Sequence, residues 1–231
     1  MFIGIDLDNT LIDYDRLFGS LAVEQGLLDR EDAASKLAVR DLLRSRPGGE
    51  EQWRALQRLA YGPRILEAEI ASGACAFLER LAEAGGRAVI VSHKTRTPNY
   101  LPEPDFHEAA LGFLEENRLL VPHTPIERAH FQATRPGKAG LVAELGCTHF
   151  IDDLVEVFAE PAFPRGVLRI LYRSAPPGQA QPHNQRAPNQ DKSPDQAVLH
   201  NQAAPQARPW DLAGDWAAIG AHLFGGPGEG A

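Results

Sequence analysis

The sequence predicts an α/β fold, a doubly wound parallel sheet with a small helical insert near its start. Two observations carry that prediction. Residues 2–5 (Phe-Ile-Gly-Ile) form a compact apolar run that stops abruptly at Asp6-Leu7-Asp8-Asn9-Thr10. An unbroken apolar run suits a strand buried on both faces, and acid at its end suits a strand whose C-terminus opens on a site. From residue 74 to residue 172 helical and strand patterns then alternate. Alternation of this kind requires helical crossovers, and so a parallel sheet with helices on both faces.

Size and composition agree. A chain of 231 residues is one domain, or one domain carrying an insert, and is long enough to bury a sizeable core. A hydrophobic fraction of 43% excludes a wholly disordered chain. The formal charge of −8 argues against binding along a nucleic-acid backbone, although it leaves room for a local basic pocket. No apolar run approaches the roughly 18 residues of a membrane span. The start of the chain lacks the basic-then-apolar pattern of a secretory signal. A cytoplasmic protein is the expectation. Cys75 and Cys147, far apart and in apolar surroundings, read as buried free thiols.

The elements follow in order. After the first strand, residues 15–61 turn helical: Leu17 and Leu21 mark one stretch, Leu37, Leu42 and Leu43 a second, and Trp53, Leu56 and Leu59 a third. Pro47-Gly48-Gly49 and Gly62-Pro63 interrupt them. Helix 74–84 closes at Gly85-Gly86, as a left-handed C-cap requires. Residues 88–91 form a strand ending at Ser92. Helices follow at 106–117 and 138–145, then a strand at 149–151 ending in Asp152-Asp153, a short helix at 154–159 and a strand at 167–172. Residues 174–208 are dominated by Gln, Ala, Pro and Asn and cannot bury enough surface to offset their ordering entropy. They read as a disordered loop inside the domain, because residues 210–224 return to a helical pattern with Leu212, Trp216, Ile219 and Leu223 on one face.

Polar residues sit at three strand ends: Asp6 and Asp8, Ser92, and Asp152 with Asp153. In an open parallel sheet these ends line the ligand crevice. Carboxylates gathered there repel one another unless a cation lies among them, and hard oxygen ligands suit Mg²⁺. Asp6 and Asp8 alone would also suit a strand-to-turn cap. Ser92 alone would suit a helix N-cap.

In order and spacing these residues resemble the haloacid dehalogenase superfamily, specifically its phosphohydrolases with a Rossmann-like core. Asp6-Leu7-Asp8-Asn9-Thr10 matches the first motif, Ser92 the second, Lys138 the third and Asp152-Asp153 the acidic fourth. The resemblance spans residues 1 to about 172 and implies the roles. Asp6 attacks phosphorus, and Asp8 is the general acid and base. Thr10 positions the first loop. Ser92 and Lys138 hold phosphoryl oxygens, and Lys138 also restrains Asp6. Mg²⁺ is bound by Asp6, the carbonyl of Asp8, Asp152 and, through water, Asp153.

The resemblance also makes residues 13–70 a helical cap that selects the substrate, inserted in a core of residues 1–12 and 71–231. On the second cap helix Lys36, Arg40 and Arg44 share a stripe at four-residue steps, which suits contact with the substrate's non-reacting part or a solvated face. Tyr14 and Tyr61 near the hinges, and His93 and Lys94 after Ser92, are further candidates for substrate contact. His107, His123 and His130 lack ligand spacing. The implied reaction is Mg²⁺-dependent hydrolysis of a small phosphorylated metabolite. The alternatives are 2-haloacid dehalogenation, or a non-catalytic binding protein on the same fold.

Overall fold

The computed structural model describes residues 1–98, 103–174 and 210–225. The glutamine- and proline-rich loop expected at 174–208 lies, apart from Ser174, outside the described residues. The first strand, β1 (Phe2–Ile5), sits inside a six-stranded sheet. After a two-stranded β2 (Ile12–Asp13) and β3 (Glu69–Ile70) come β4 (Arg87–His93), β5 (Ile126–Gln132), β6 (His149–Asp152), β7 (Leu168–Tyr172) and β8 (Leu212–Gly214). The order across the large sheet is β5-β4-β1-β6-β7-β8, and every pair is parallel.

Period-two alternation divides the core. In β4, Ala88 and Ile90 face the cluster that holds Ile3, Ile5, Phe77, Phe113 and Trp216. Val89 and Val91 face the other way, toward Ala139, Val142, Phe150 and Val157. The first cluster draws on α1 (Asp15–Glu24), α4 (Ala74–Glu83), α5 (Phe106–Glu116) and α8 (Trp216–Phe224). The second draws on α6 (Arg135–Glu144) and α7 (Val155–Phe158). Each buried aliphatic side chain contributes about 1.5–3 kcal/mol, so both faces are needed to hold the sheet. Gly4 in β1 is required by close approach: a Cβ there would meet Phe150 Cδ2 at 2.6 Å.

The insert is tied at its base. β2 pairs antiparallel with β3, Ile12 opposite Ile70, so the chain leaves and re-enters the core at one place. Between them α1, α2 (Lys36–Arg44) and α3 (Gly49–Ala60) pack on one another. Ser35 caps α2 by accepting from the Ala38 amide at 3.2 Å. Phe18 stacks on Trp53 at 4.8 Å and, with Val39, Leu43 and Leu56, fills the interior of the three helices.

The structure corrects three expectations. Residues 210–224 are not one helix: Leu212–Gly214 is edge strand β8, and the helix starts at Trp216, where Asp215 accepts from the Ala218 amide at 2.8 Å. Leu212 pairs with Ile170 of β7 and leaves the helical face. Strand β5 was not expected at all. Cys147 is a buried free thiol, as read, but Cys75 is a free thiol at the surface, because it lies in the first turn of α4 on the side away from the sheet.

Candidate active site

The topology brings three polar strand ends together. From β1 the chain steps outward to β4 and β5, then returns to the opposite side of β1 as β6. Ligand crevices form at such reversals. Asp6 follows β1 and its amide donates to the Ile151 carbonyl at 2.9 Å, which locks it against β6. Ser92 lies near the end of β4 and Asp152 ends β6, so the two flank Asp6.

Lys138 arrives from below. Thr134 caps α6 by accepting from the Gly137 amide at 3.1 Å, and Pro136 stands in the first turn, where its missing N–H costs nothing. That start puts Lys138 in the first turns of the helix, almost fully buried. Its Nζ lies 2.5 Å from Asp6 Oδ1 and 2.6 Å from Asp152 Oδ2. One ammonium therefore bridges two carboxylates that would otherwise repel.

The bridge does not neutralise the cluster. One carboxylate oxygen each from Asp6, Asp152 and Asp153 lies within 4.8 Å of the others. Burial pushes the Asp6 carboxyl up to about 7, Lys138 opposing and Asp152 adding to the rise. Asp153 is also pushed up to about 7, by burial first and then by Asp6. Asp152 is raised by burial against the pull of Lys138. Burial disfavours the charge on Lys138, but the carboxylates of Asp6 and Asp152 overcome it and hold the ammonium well above its ordinary range. Carboxylates poised this way are a fitting donor set for a small hard cation such as Mg²⁺.

Asp8, two residues on, has different company. Tyr14 Oη donates to its Oδ1 at 2.8 Å, and the Lys94 ammonium lies 2.7 Å from Oδ2. Burial, the largest single influence, would raise this carboxyl, but Lys94, Lys36 and Tyr14 together outweigh it and hold it below its usual range. Lys94 is itself oriented from behind: the His107 ring bonds the Lys94 carbonyl at 2.9 Å and stacks on Phe131 at 4.4 Å. Sequence reasoning placed neither Lys94 on Asp8 nor His107 behind it. The close spacing of Lys94 after Ser92 was visible in the chain, but its direction was not.

No family model matches the chain, and no curated protein matches it. Solved structures do. A haloacid dehalogenase family hydrolase from Deinococcus radiodurans R1, crystallised with bound phosphate and sodium, aligns at a TM-score of 0.53 with 18% identity, over 96% of this chain and 93% of that one. A putative haloacid dehalogenase-like hydrolase from Bacteroides fragilis also aligns at 0.53 with 18% identity, over 96% and 99%. The chain has the haloacid dehalogenase fold. The Mycobacterium tuberculosis Protein Tyrosine Kinase A aligns at 0.57 with 16% identity, over 97% of this chain and 98% of that one.

On this haloacid dehalogenase fold the remaining candidates spread around the acidic cluster. Ser92 Oγ and Thr10 Oγ1 are both buried with no hydrogen-bond partner among the described residues. Thr10 is also held through its backbone, its carbonyl accepting from Trp216 Nε1 at 3.0 Å. Asn9 adopts a left-handed conformation, φ 62°, which its short amide tolerates. From there its Oδ1 accepts from Lys36 Nζ at 2.6 Å, while its Nδ2 reaches Asp153 Oδ2 at 3.5 Å. Arg40 pairs with its neighbour Asp41 at 2.8 Å, and exposed His93 bonds the Ala133 carbonyl at 3.1 Å. Two cavities open beside the site. One, about 230 Å³, is lined by Asp8, Lys94, His93 and Arg58. The other, about 620 Å³, is lined by Asn9, Lys36, Arg40, Asp153 and Arg173. Gln57 and Tyr61 of the insert border both.

Proposed function

We propose that the protein is a Mg²⁺-dependent phosphohydrolase that cleaves a small phosphomonoester through an aspartyl phosphate. The fold does not decide this, since proteins named hydrolase and tyrosine kinase share it. The supporting observation is the convergence of Asp6, Asp152 and Asp153 around Lys138 at the strand ends, beside the unpartnered hydroxyl of Ser92. A buried hydroxyl without a partner costs about 1–3 kcal/mol, and a phosphoryl oxygen removes that cost.

Asp6 forms the new bond to phosphorus as the ester oxygen leaves. That oxygen takes its proton from Asp8, to which the Lys94 ammonium 2.7 Å away supplies it, so that the pair as a whole gives up one proton. Asp8, returned to its carboxylate, then removes a proton from the water that attacks the aspartyl phosphate, and Asp6 and inorganic phosphate are released. Lys138 and Ser92 hold the equatorial oxygens during both transfers. Asp6, the Asp8 carbonyl, Asp152 and Asp153 would hold Mg²⁺, which when bound supplies charge neutralisation between the anionic nucleophile and the anionic ester. Residues 13–70 act as a cap over the crevice, keeping bulk water from the acyl phosphate.

Dehalogenation at carbon needs no proton for the leaving halide and no divalent cation. Asp8 with its Lys94 and Tyr14 partners, and the Asp152–Asp153 pair, would then have no task. The discriminating experiment incubates purified protein with Mg²⁺ and either a panel of phosphomonoesters or 2-haloacids. Phosphate release that stops on chelation, with no halide released, is expected. Halide release that persists without metal, with no phosphate from any ester, would overturn the proposal.

A further inference from the structure

Lys36 takes no direct part in the proposed transfers, although its charge favours the carboxylate of Asp8 from a distance. It opens α2 of the insert, yet its Nζ reaches down to the loop after β1 and contacts Asn9. Three aromatic rings surround it, with centroids at 5.4 Å for Tyr14, 5.4 Å for Phe18 and 5.3 Å for Tyr61. Among the described residues no carboxylate lies within ion-pair distance of it. This partly desolvated ammonium, held by ring faces and one neutral amide oxygen, has no counter-ion in direct contact; Asp8 and Asp153 favour its charge only from beyond ion-pair distance.

The wall beside it is cationic as well. Arg40 and Arg44 continue the same face of α2 into the cavity of about 620 Å³, and Arg173 enters from the end of β7. Their existing partners are weak competitors. Arg40 pairs only with adjacent Asp41 and Arg44 with Glu50, all at solvent-exposed positions where ion pairs contribute little. Arg173 donates from Nη1 to the carbonyls of Asp153 and Tyr172. The cavity's acids are Asp153, committed to the carboxylate cluster, and Asp15, which accepts from the Lys36 backbone amide.

We infer that this cavity is a second anion subsite: the substrate is a phosphomonoester carrying a further anionic group, a carboxylate or a second phosphate, which Lys36 and Arg40 receive while the reacting phosphoryl group sits at Asp6. The inference rests on the phosphohydrolase reading and narrows it. A neutral leaving group would leave Lys36 without a contacting counter-ion and place uncharged surface against three guanidinium groups, and a cationic one would meet like charge there.

The test uses two matched pairs of probes, with Mg²⁺ present. 3-Phosphoglycerate and glycerol 3-phosphate differ by a carboxylate, and fructose 1,6-bisphosphate and fructose 6-phosphate by a phosphate. Calorimetric binding to the Asp6→Asn protein reads affinity without turnover, and phosphate release by the unaltered protein reads kcat/KM. The extra-anionic member of at least one pair should bind about tenfold to a hundredfold more tightly, as charge-assisted hydrogen bonds allow. Which pair shows the preference distinguishes carboxylate from phosphate. Arg40→Gln and Lys36→Met should each shrink that ratio toward one; Arg40 is half-exposed and its replacement leaves packing intact, so a failure of Lys36→Met to fold does not stop the test. Equal binding within both pairs, or a preference that survives both substitutions, overturns the subsite. Anion preference without hydrolysis of any ester overturns the phosphohydrolase reading alone.

Discussion

Lys94 and Asp8 form a buried ion pair, Nζ to Oδ2 at 2.7 Å, with Lys94 only 5% exposed. Tyr14 closes the other side of the carboxylate and the Tyr61 ring lies 4.6 Å from the ammonium. Of the influences on Asp8, Lys94 is the largest that favours its charged form, and burial the one that opposes it. Replacing Lys94 by Met therefore raises the Asp8 pKa, with only Lys36 and Tyr14 left to oppose burial. In the proposed reaction the aspartyl phosphate is hydrolysed with Asp8 as carboxylate, so the acid limb of the pH–kcat profile should move to higher pH, with kcat lowered about tenfold to a hundredfold at neutral pH. A profile that keeps its acid limb in place would separate Lys94 from Asp8 function.

Asp8→Asn should damage the step that protonates the leaving oxygen. The loss should be smallest for esters of acidic alcohols, such as aryl phosphates, and about a hundredfold or more for alkyl phosphates. Rates across a series of leaving groups measure the slope. An equal loss for every leaving group counts against the acid role.

Metal affinity should depend on pH. In the metal-free protein Asp6 is held near 7 by burial and the charge of Asp152, against the pull of Lys138, and Asp153 is held near 7 by burial and the charge of Asp6. Below that pH they carry protons that Mg²⁺ must displace, so each displaced proton weakens binding about tenfold per pH unit. The sign for stability follows from the same shifts. A carboxylate whose folded pKa is raised binds protons more tightly folded than unfolded, so the metal-free protein loses stability as pH rises from the ordinary carboxylate range through about 7. The rise in Tm on adding Mg²⁺ should be larger at pH 8 than at pH 6. Thermal unfolding with and without Mg²⁺ at the two values checks this, and an equal or reversed difference contradicts it.

Trp216 links the last helix to the first loop. Its indole is buried against Phe77 at 4.7 Å and Tyr172 at 5.4 Å, and Nε1 donates to the Thr10 carbonyl at 3.0 Å. Trp216→Ala should cost about 3–5 kcal/mol of stability in urea unfolding. Trp216→Phe keeps most of the apolar contact and loses the hydrogen bond, a loss of about 1 kcal/mol from that bond. If the two substitutions cost the same, the indole packing is not what holds α8 in place.

The chain itself announces the parts of this protein that depend on local composition. Ile3 and Ile5 followed by Asp6, Val91 by Ser92, and Ile151 by Asp152 are strands buried on both faces that end in polar groups, and such runs are readable because burial demands unbroken apolar sequence. Lys138 is legible only through the resemblance, as the match to the third motif. Strand β5, Ile-Glu-Arg-Ala-His-Phe-Gln, escaped because it lies at the sheet's edge, where only Ile126 is fully buried and polar residues are tolerated. Strand β8 escaped because three residues are too few to show a period.

What tertiary structure alone decided is the partnership of charges. Nothing in the sequence directs Lys94 to Asp8, Lys138 to two carboxylates 132 and 14 positions away, or Lys36 across the insert to Asn9. Apolar burial is a property each residue carries into the fold, so its pattern survives in one dimension. An ion pair is a property of two side chains at a distance of a few ångströms, and that distance exists only once β1, β4 and β6 lie side by side and α2, α3 and α6 have closed around them.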